Sequence, residues 1–301
     1  MSDDGTHDSG ESLFIVAQDN LRLHVRQYGT RISSGLPVVC LPGLTRTVAD
    51  FATLAPALAA NAGRNRRVIA IDTRGRGQSE YDSNPKNYNL AVELADVMTV
   101  LTALEIARAV FIGSSRGGIL TMLMGAANPA AIGGVVLHDI GPVIDPMGVA
   151  RIKSYVGKMP RPRTFAEGED ILKRLFAPQF PRLTPEQWRA AARRAWQSKN
   201  GGLEPTYDVQ LAETLADFDI ERPLPPLWNE FDALASVPML VIRGANSDIL
   251  SKATVEAMAA RHPGMQSIEV PDEGHVPLLE GEDLFRRIAL FVAACDETAT
   301  A

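Results

Sequence analysis

Five residues near the middle of the chain, Gly113-Ser114-Ser115-Arg116-Gly117, fit the pattern G-x-S-x-G. They follow the apolar run Ala109–Ile112 and precede the helical pattern Gly118–Gly125. A serine on a sharp turn between a strand and a helix is held clear of the sheet, and the flanking glycines let the chain pass closely. The helix N-terminus also favours negative charge beside that serine. We therefore predict Ser115 as a nucleophile and reject Ser114, which occupies an x position.

A serine hydroxyl needs a neighbouring base at neutral pH. Of the five histidines, His275 lies in Glu273-Gly274-His275-Val276-Pro277, after the last predicted strand and before the last predicted helix. In a parallel sheet, that loop emerges at the same edge as the turn that carries Ser115. We predict His275 as the base, with His138, at the end of another predicted strand, as the lesser candidate.

The base in turn needs a carboxylate that fixes its tautomer and stabilises the imidazolium. Asp248 follows the predicted strand Met239–Arg243 and lies between Ser115 and His275 in chain order, as the acid does in triads of this kind. Asp139, at the end of the strand before the break in the strand pattern, is the competitor. We favour Asp248.

Acyl transfer also needs backbone donors for the oxyanion. One donor is expected to be the N–H of Arg116, directly after the serine. The other is expected from Pro42-Gly43-Leu44-Thr45-Arg46, which follows the predicted strand Val38–Leu41. Because Gly43 permits close approach, we predict Leu44 N–H as the second donor.

Short apolar runs rich in Val and Ile alternate with longer helical patterns, which indicates an α/β fold with a parallel sheet wrapped by helices. The first two predicted strands, Leu13–Ala17 and Leu21–Tyr28, are expected to form an antiparallel hairpin. The predicted strands are Val38–Leu41, Arg67–Asp72, Ala109–Gly113, Gly134–Leu137, Met239–Arg243 and Gln266–Val270. The predicted helices are Val48–Ala60, Leu90–Leu104, Arg116–Ala127, Ala253–Arg261 and Leu284–Ala294.

The alternation breaks over residues 141–227, where helical patterns and prolines occur without a good strand. We predict a helical cap there, a core formed by residues 12–140 and 228–297, and a disordered lead at residues 1–11. Thr184-Pro185-Glu186-Gln187 reads as a capped helix start. Trp228 and Val276 are candidate pocket residues, although core packing is the more probable role of Trp228.

Charge is unevenly distributed along the chain. Residues 151–200 hold 12 Lys plus Arg against four acids, a balance of +8, so the rest of the chain must sum to −14 to give the overall −6. The simpler explanation of this basic stretch is a helical face exposed to solvent. The more specific hypothesis is that its positive charge attracts anionic substrates to the site. The acidic chain as a whole argues against a nucleic-acid partner.

No apolar run is long enough for a membrane span, and the polar N-terminus lacks the pattern of a secretory signal. Cys40 and Cys295 form no CxxC pair and are expected to be buried thiols of a cytoplasmic protein, without metal. The oligomeric state is left open, with a homodimer among the alternatives.

Ser115, Asp248 and His275, together with Pro42-Gly43-Leu44 and Asp72-Thr73-Arg74-Gly75-Arg76-Gly77-Gln78-Ser79, resemble the α/β-hydrolase superfamily. The chain is most similar to small bacterial esterases, enol-lactonases and carbon–carbon bond hydrolases. This resemblance implies an eight-stranded, mostly parallel sheet, a helical cap after strand six, an acyl-serine intermediate and no cofactor. The chain departs from this resemblance at two positions. Many relatives carry His where this chain has Pro42, and many carry an apolar residue where this chain has Arg116. For Arg116, we favour pairing with an acid over contact with a substrate.

The function expected from these features is hydrolysis of a small-molecule carboxylic ester. The same triad would also serve a lactonase or a β-diketone hydrolase. A non-catalytic small-molecule receptor is the alternative from another class.

Overall fold

The computed structural model describes residues 10–33, 35–60, 65–199, 201–222 and 224–298. Most of the predicted lead, residues 1–9, lies outside the described residues, and Glu11 already begins the first strand. The predicted opening hairpin is confirmed, since β1 (Glu11–Val16) pairs antiparallel with β2 (Arg22–Tyr28).

Eight strands of the described chain form one sheet, and two more form a separate hairpin. The further strands are β3 (Val38–Leu41), β4 (Val68–Ile71), β5 (Ala109–Ser114), β6 (Ile132–His138), β7 (Trp196–Lys199), β8 (Gly202–Pro205), β9 (Met239–Gly244) and β10 (Gln266–Val270). The order in the large sheet is β1-β2-β4-β3-β5-β6-β9-β10, and every pair from β4 to β10 is parallel. The expected eight-stranded, mostly parallel sheet is confirmed.

Helices cover both faces of this sheet. The helices of the described chain are α1 (Leu54–Ala59), α2 (Leu90–Ala103), α3 (Arg116–Ala127), α4 (Pro146–Tyr155), α5 (Phe165–Phe176), α6 (Pro185–Ala195), α7 (Trp228–Asp232), α8 (Lys252–Arg261) and α9 (Glu282–Thr298), with 3-10 helices at Val48–Phe51, Pro85–Asn87, Pro129–Ala131 and Val209–Leu215. Of these helices, α5 and α6 pack in a separate apolar cluster. Side chains of β3 alternate between two buried apolar clusters: Val39 and Leu41 pack with α2 and α3, whereas Val38 and Cys40 pack with α1 and α9. A strand covered on both faces reads as a continuous apolar run, which explains its sequence.

The predicted helix Val48–Ala60 is two shorter helices, a 3-10 turn at Val48–Phe51 and α1 at Leu54–Ala59. The physical reason is Pro56, which has no N–H to donate to Ala52 and whose ring would meet that carbonyl in one continuous helix.

Residues 141–227, here called the inserted segment, lie between β6 and β9 and contribute no strand to the large sheet in their described part. The expected capping box at the start of α6 is confirmed, because the Thr184 hydroxyl accepts from Gln187 N–H and the Gln187 side chain accepts from Thr184 N–H. The expectation of no strand is wrong, because β7 and β8 pair there. Gly201, with φ of +77°, makes the turn, and Trp196 is buried.

Among the described residues, no helix is both long enough and apolar enough to cross a bilayer. Cys40 and Cys295 are both buried, as expected. The cytoplasmic location and the division into core and cap stay predictions.

Candidate active site

Ser115 lies at the tip of the turn between β5 and α3, with φ of +49° and ψ of −115°. This left-handed conformation is rare for a residue with a side chain and is found where surrounding structure enforces it. The glycines on either side make the turn possible. A Cβ on Gly117 would lie 2.0 Å from the Leu41 carbonyl oxygen, and one on Gly113 would lie 2.5 Å from the Gly117 oxygen.

His275, in the loop between β10 and α9, meets this serine at the carboxyl edge of the sheet. Its Nε2 lies 2.9 Å from Ser115 Oγ, a hydrogen-bond distance at which an imidazole can take the hydroxyl proton. The His275 side chain is only 6% exposed, so bulk water does not compete strongly for this bond.

The acid beside His275 is Asp139, and the expected contact with Asp248 is wrong. Asp139 Oδ2 lies 2.8 Å from His275 Nδ1. The carboxylate is fully buried and also accepts hydrogen bonds from Gly244 N–H at 2.8 Å and Ser247 Oγ at 2.6 Å. Asp139 directly follows β6, which pairs with the strand of Ser115, so two adjacent strand ends present the acid and the serine.

Asp248 turns away from His275 and binds the inserted segment. Both of its carboxylate oxygens accept from Arg151 of α4, at 2.5 Å from Nε and 2.8 Å from Nη2. Burial opposes ionisation of Asp248, but the hydrogen bonds and charge of Arg151 outweigh burial and hold its pKa below the ordinary value. Close packing enforces this arrangement, since a Cβ on Gly148 of α4 would lie 2.2 Å from the Asp248 carbonyl oxygen.

The two expected oxyanion donors, the N–H groups of Leu44 and Arg116, donate to no acceptor within the described residues. Arg116 is the first residue of α3, where helix N–H groups have no partner within the helix. The loop after β3 also approaches the serine closely, because a Cβ on Gly43 would lie 3.6 Å from Ser115 Cβ. Both amides therefore lack an acceptor in the described part of the chain, which the expected role of oxyanion donors requires.

A buried carboxylate on α2, Glu93, links these two residues. Its Oε2 accepts from Arg116 Nε at 2.6 Å, and its Oε1 accepts from Arg76 Nη1 at 2.7 Å. The Nε of Arg76 donates in turn to the carbonyl of Leu44 at 2.8 Å. Although burial opposes ionisation of Glu93, the charges of both arginines hold its pKa below the ordinary value. The expected pairing of Arg116 with an acid is confirmed.

His138, the lesser candidate for the base, contacts the hydroxyl of Ser114 and not that of Ser115. Its Nδ1 lies 2.6 Å from the hydroxyl of Ser114, and the ring is buried. Burial lowers the pKa of His138 to about 4, so the ring is neutral at physiological pH.

A cleft of about 980 Å³, counting its open mouth, lies above Ser115. Its floor comes from the sheet edge and its roof from the inserted segment, with apolar side chains such as Leu172, Phe176 and Trp188. Val276 lines the cleft, as expected. Trp228 is not among the lining residues that the structure describes. It packs edge-on against Phe231 with the Arg261 guanidinium over its ring, because α7 lies against α3 in the core.

In the described part of the chain, no group of three or more His, Cys, Asp or Glu side chains could hold a metal ion. The chemistry of the cleft is that of a hydroxyl, an imidazole and a buried carboxylate in series, beside two open backbone donors. A serine nucleophile with its base, orienting acid and oxyanion hole requires groups of these kinds in such an order.

Sequence reasoning ranked Asp139 below Asp248 and missed the contacts of Glu93. Asp139 directly follows a buried strand, as Ser115 does, and this shared position is the signal that favours it over Asp248, four residues beyond β9. Glu93 stands among apolar residues of α2, and an acid there calls for a buried cationic partner.

Comparisons with known proteins agree with this geometry. Residues 38–287 match the model of the alpha/beta hydrolase family. A 3-hydroxybutyrate-oligomer hydrolase of Cupriavidus necator is 37% identical over 249 residues, covering 80% of this chain and 82% of the relative. A 2-(acetamidomethylene)succinate hydrolase of Mesorhizobium japonicum is 23% identical over 85% of each chain.

Among solved structures, an alpha/beta hydrolase from Novosphingobium aromaticivorans superposes with a TM-score of 0.88 at 38% identity. The match covers 94% of this chain and 98% of that one. The chain is a member of the alpha/beta hydrolase family.

Proposed function

We propose that this protein is a serine hydrolase that cleaves a carboxylic ester of a small molecule through an acyl-serine intermediate. The observation that carries the proposal is the continuous contact from Ser115 Oγ to His275 Nε2, at 2.9 Å, and from His275 Nδ1 to Asp139 Oδ2, at 2.8 Å. Each group has one role in the sequence of steps that follows.

Ser115 Oγ attacks the ester carbonyl while His275 Nε2 takes its proton. Asp139 holds the imidazole by its Nδ1–H and stabilises the imidazolium. The N–H groups of Leu44 and Arg116 bind the oxyanion. The imidazolium then gives its proton to the leaving alcohol, and a water molecule, deprotonated by His275, attacks the acyl-serine to release the acid and restore the hydroxyl.

The ester is favoured over the other bonds that the same triad could cleave, a lactone or the carbon–carbon bond of a β-diketone. The relative that is 37% identical is named for the hydrolysis of 3-hydroxybutyrate oligomers, whose units are joined by ester bonds. We further propose that the inserted segment acts as a cap, since its helices line the roof of the cleft.

The test is hydrolysis of p-nitrophenyl esters, from acetate to long acyl chains, by the wild type and by Ser115→Ala. We expect turnover by the wild type and loss of nearly all of it in the folded variant, because the covalent step has no other nucleophile. Reaction with a fluorophosphonate followed by peptide mapping adds an internal control, since the label should sit on Ser115 and not on the adjacent Ser114.

Ester turnover that survives in Ser115→Ala would contradict the proposed nucleophile. A labelled Ser115 without turnover of any ester would instead point to a lactone or diketone substrate. Neither labelling nor turnover, with a bound small molecule, would indicate a receptor.

A further inference from the structure

Two arginines from different parts of the chain line the cleft and lie close together. Arg46 belongs to the loop after β3, and Arg194 belongs to α6 of the inserted segment. Both contact Asp50, with Arg46 Nε at 2.9 Å from one carboxylate oxygen and Arg194 Nε at 3.5 Å from the other. The carboxylate of Asp50 therefore holds the two guanidinium groups near each other.

Arg194 is poorly satisfied by its protein partners. Its Nε is buried yet makes no hydrogen bond within the described residues, since 3.5 Å to Asp50 exceeds hydrogen-bond length. Its Nη1 lies 3.6 Å from Glu280, again beyond that length. A guanidinium carries five N–H donors, and buried donors are normally paired. Arg194 thus keeps donors for a further acceptor.

The described wall of the cleft contains no carboxylate side chain. Among its described lining residues, Arg46 and Arg194 are the only permanently charged side chains, whereas their neighbours Asp50 and Glu280 line a smaller cavity that the two arginines also line. Most of the remaining wall is apolar, including Phe180. A matching ligand has an apolar body and one anionic end.

We propose that Arg46 and Arg194 form a carboxylate-binding subsite, and that the substrate is an ester of a hydroxycarboxylic acid that keeps a free carboxylate. The proposal rests on the proposed ester hydrolysis at Ser115. Planar carboxylates fit the fork of a guanidinium, so two arginines favour this anion at one end of the cleft. Hydrolysis of one ester bond then consumes one water and yields a hydroxyl end and a new carboxylate.

The first test needs no variant. The wild type is assayed with three substrates: the linear dimer of 3-hydroxybutyrate, the methyl ester of that dimer, and p-nitrophenyl butyrate. Chromatography follows cleavage of the ester bond that joins the two units of the dimers, and release of p-nitrophenol follows cleavage of the third substrate. We expect kcat/KM for the free acid to exceed that for the methyl ester about tenfold or more. Equal values, or a preference for the methyl ester, would overturn the subsite. If the wild type hydrolyses none of the three substrates, the proposed ester hydrolysis itself is overturned.

The second test uses Arg194→Gln, with Arg189→Gln as the matched control. Arg189 lies on the same helix and carries the same charge, but it is exposed, pairs with Glu186 and does not line the cleft. We expect Arg194→Gln to lower the acid-to-methyl-ester ratio about tenfold and Arg189→Gln to leave that ratio unchanged.

An equal fall in both variants would assign the preference to the general charge of the inserted segment and contradict the subsite. Arg194→Lys guards against loss of folding, because it keeps the charge and removes the fork. We expect its ratio to fall between those of the wild type and Arg194→Gln, and an unchanged ratio in both variants would refute the assignment.

Discussion

Replacing Glu93 by glutamine tests whether one buried carboxylate holds both loops of the proposed oxyanion hole in place. In the wild type its two oxygens bind Arg76 and Arg116 at 2.7 and 2.6 Å, and Arg76 fixes the Leu44 carbonyl. A glutamine keeps the shape but offers one oxygen and one N–H₂ group. One guanidinium then loses its acceptor and faces a donor.

The expected effect has two parts. Removing one partner of a buried ion pair costs about 3 to 5 kcal/mol of stability. Removing an oxyanion donor costs about 10² to 10³ in turnover, and a displacement of about 1 Å costs roughly 10². Because Glu93→Gln shifts the amides of Leu44 and Arg116 without deleting them, we expect kcat to fall roughly tenfold to a hundredfold, with a smaller change in KM.

The assay is p-nitrophenyl butyrate turnover per folded molecule, with the folded fraction measured by urea denaturation. Asp96→Asn is the matched control, since Asp96 is another buried acid of α2 that binds an arginine, Arg74, through two bonds of 2.7 Å. Arg74 keeps Asp82 and Asp19 as partners, so this variant should lose less stability and keep its kcat. Wild-type kcat in destabilised Glu93→Gln would refute the positioning role.

Two further outcomes test the site and its surroundings. Asp139→Asn should lower kcat of ester hydrolysis by about 10⁴, because the amide favours the wrong tautomer of His275, whereas Asp248→Asn should be far less damaging. The opposite order in steady-state kinetics would return the acid role to Asp248. For His138, the folded pKa of about 4 lies below the ordinary 6.5, so the unfolded chain binds the proton first as the pH falls. The depressed pKa of His138 contributes about 3 kcal/mol to the free energy of unfolding above pH 6.5, and this contribution is lost by pH 4. Between these two pH values, the free energy of unfolding of the wild type should therefore fall more than that of His138→Asn. The same pH dependence of unfolding in both proteins would contradict a buried, neutral ring.

Local patterns predicted the sheet well, because each strand buried on both faces reads as an apolar run of limited length. The bounds of β3, β10 and α3 match the predictions residue for residue. The hairpin β7–β8 was not predicted because each strand has four residues, β7 is mostly polar and β8 ends in Pro205. Its stability depends on burial of Trp196, a tertiary effect that a local pattern does not report.

The contact between Ser115 and His275 follows from motif and edge position, and both signals are local or topological. The acid that contacts His275 was harder to predict, because Asp139 and Asp248 both lie at the expected edge of the sheet. Both also lie between Ser115 and His275 in chain order. The choice depends on how the loop after β9 turns, and that loop is fixed by Arg151, a residue 97 positions away. Long-range ion pairs of this kind leave no mark in a single sequence.

The ion pair between Asp248 and Arg151 separates two tasks that a single carboxylate could otherwise share. The acid at the end of β6 orients the imidazole, so the aspartate after β9 is released to anchor α4. In the proposed mechanism, proton transfer and the attachment of α4 therefore depend on different carboxylates. Because Ile152 and Tyr155 of α4 line the cleft, a substitution that tilts α4 is expected to change which molecules fit there while the contacts among Ser115, His275 and Asp139 stay in place.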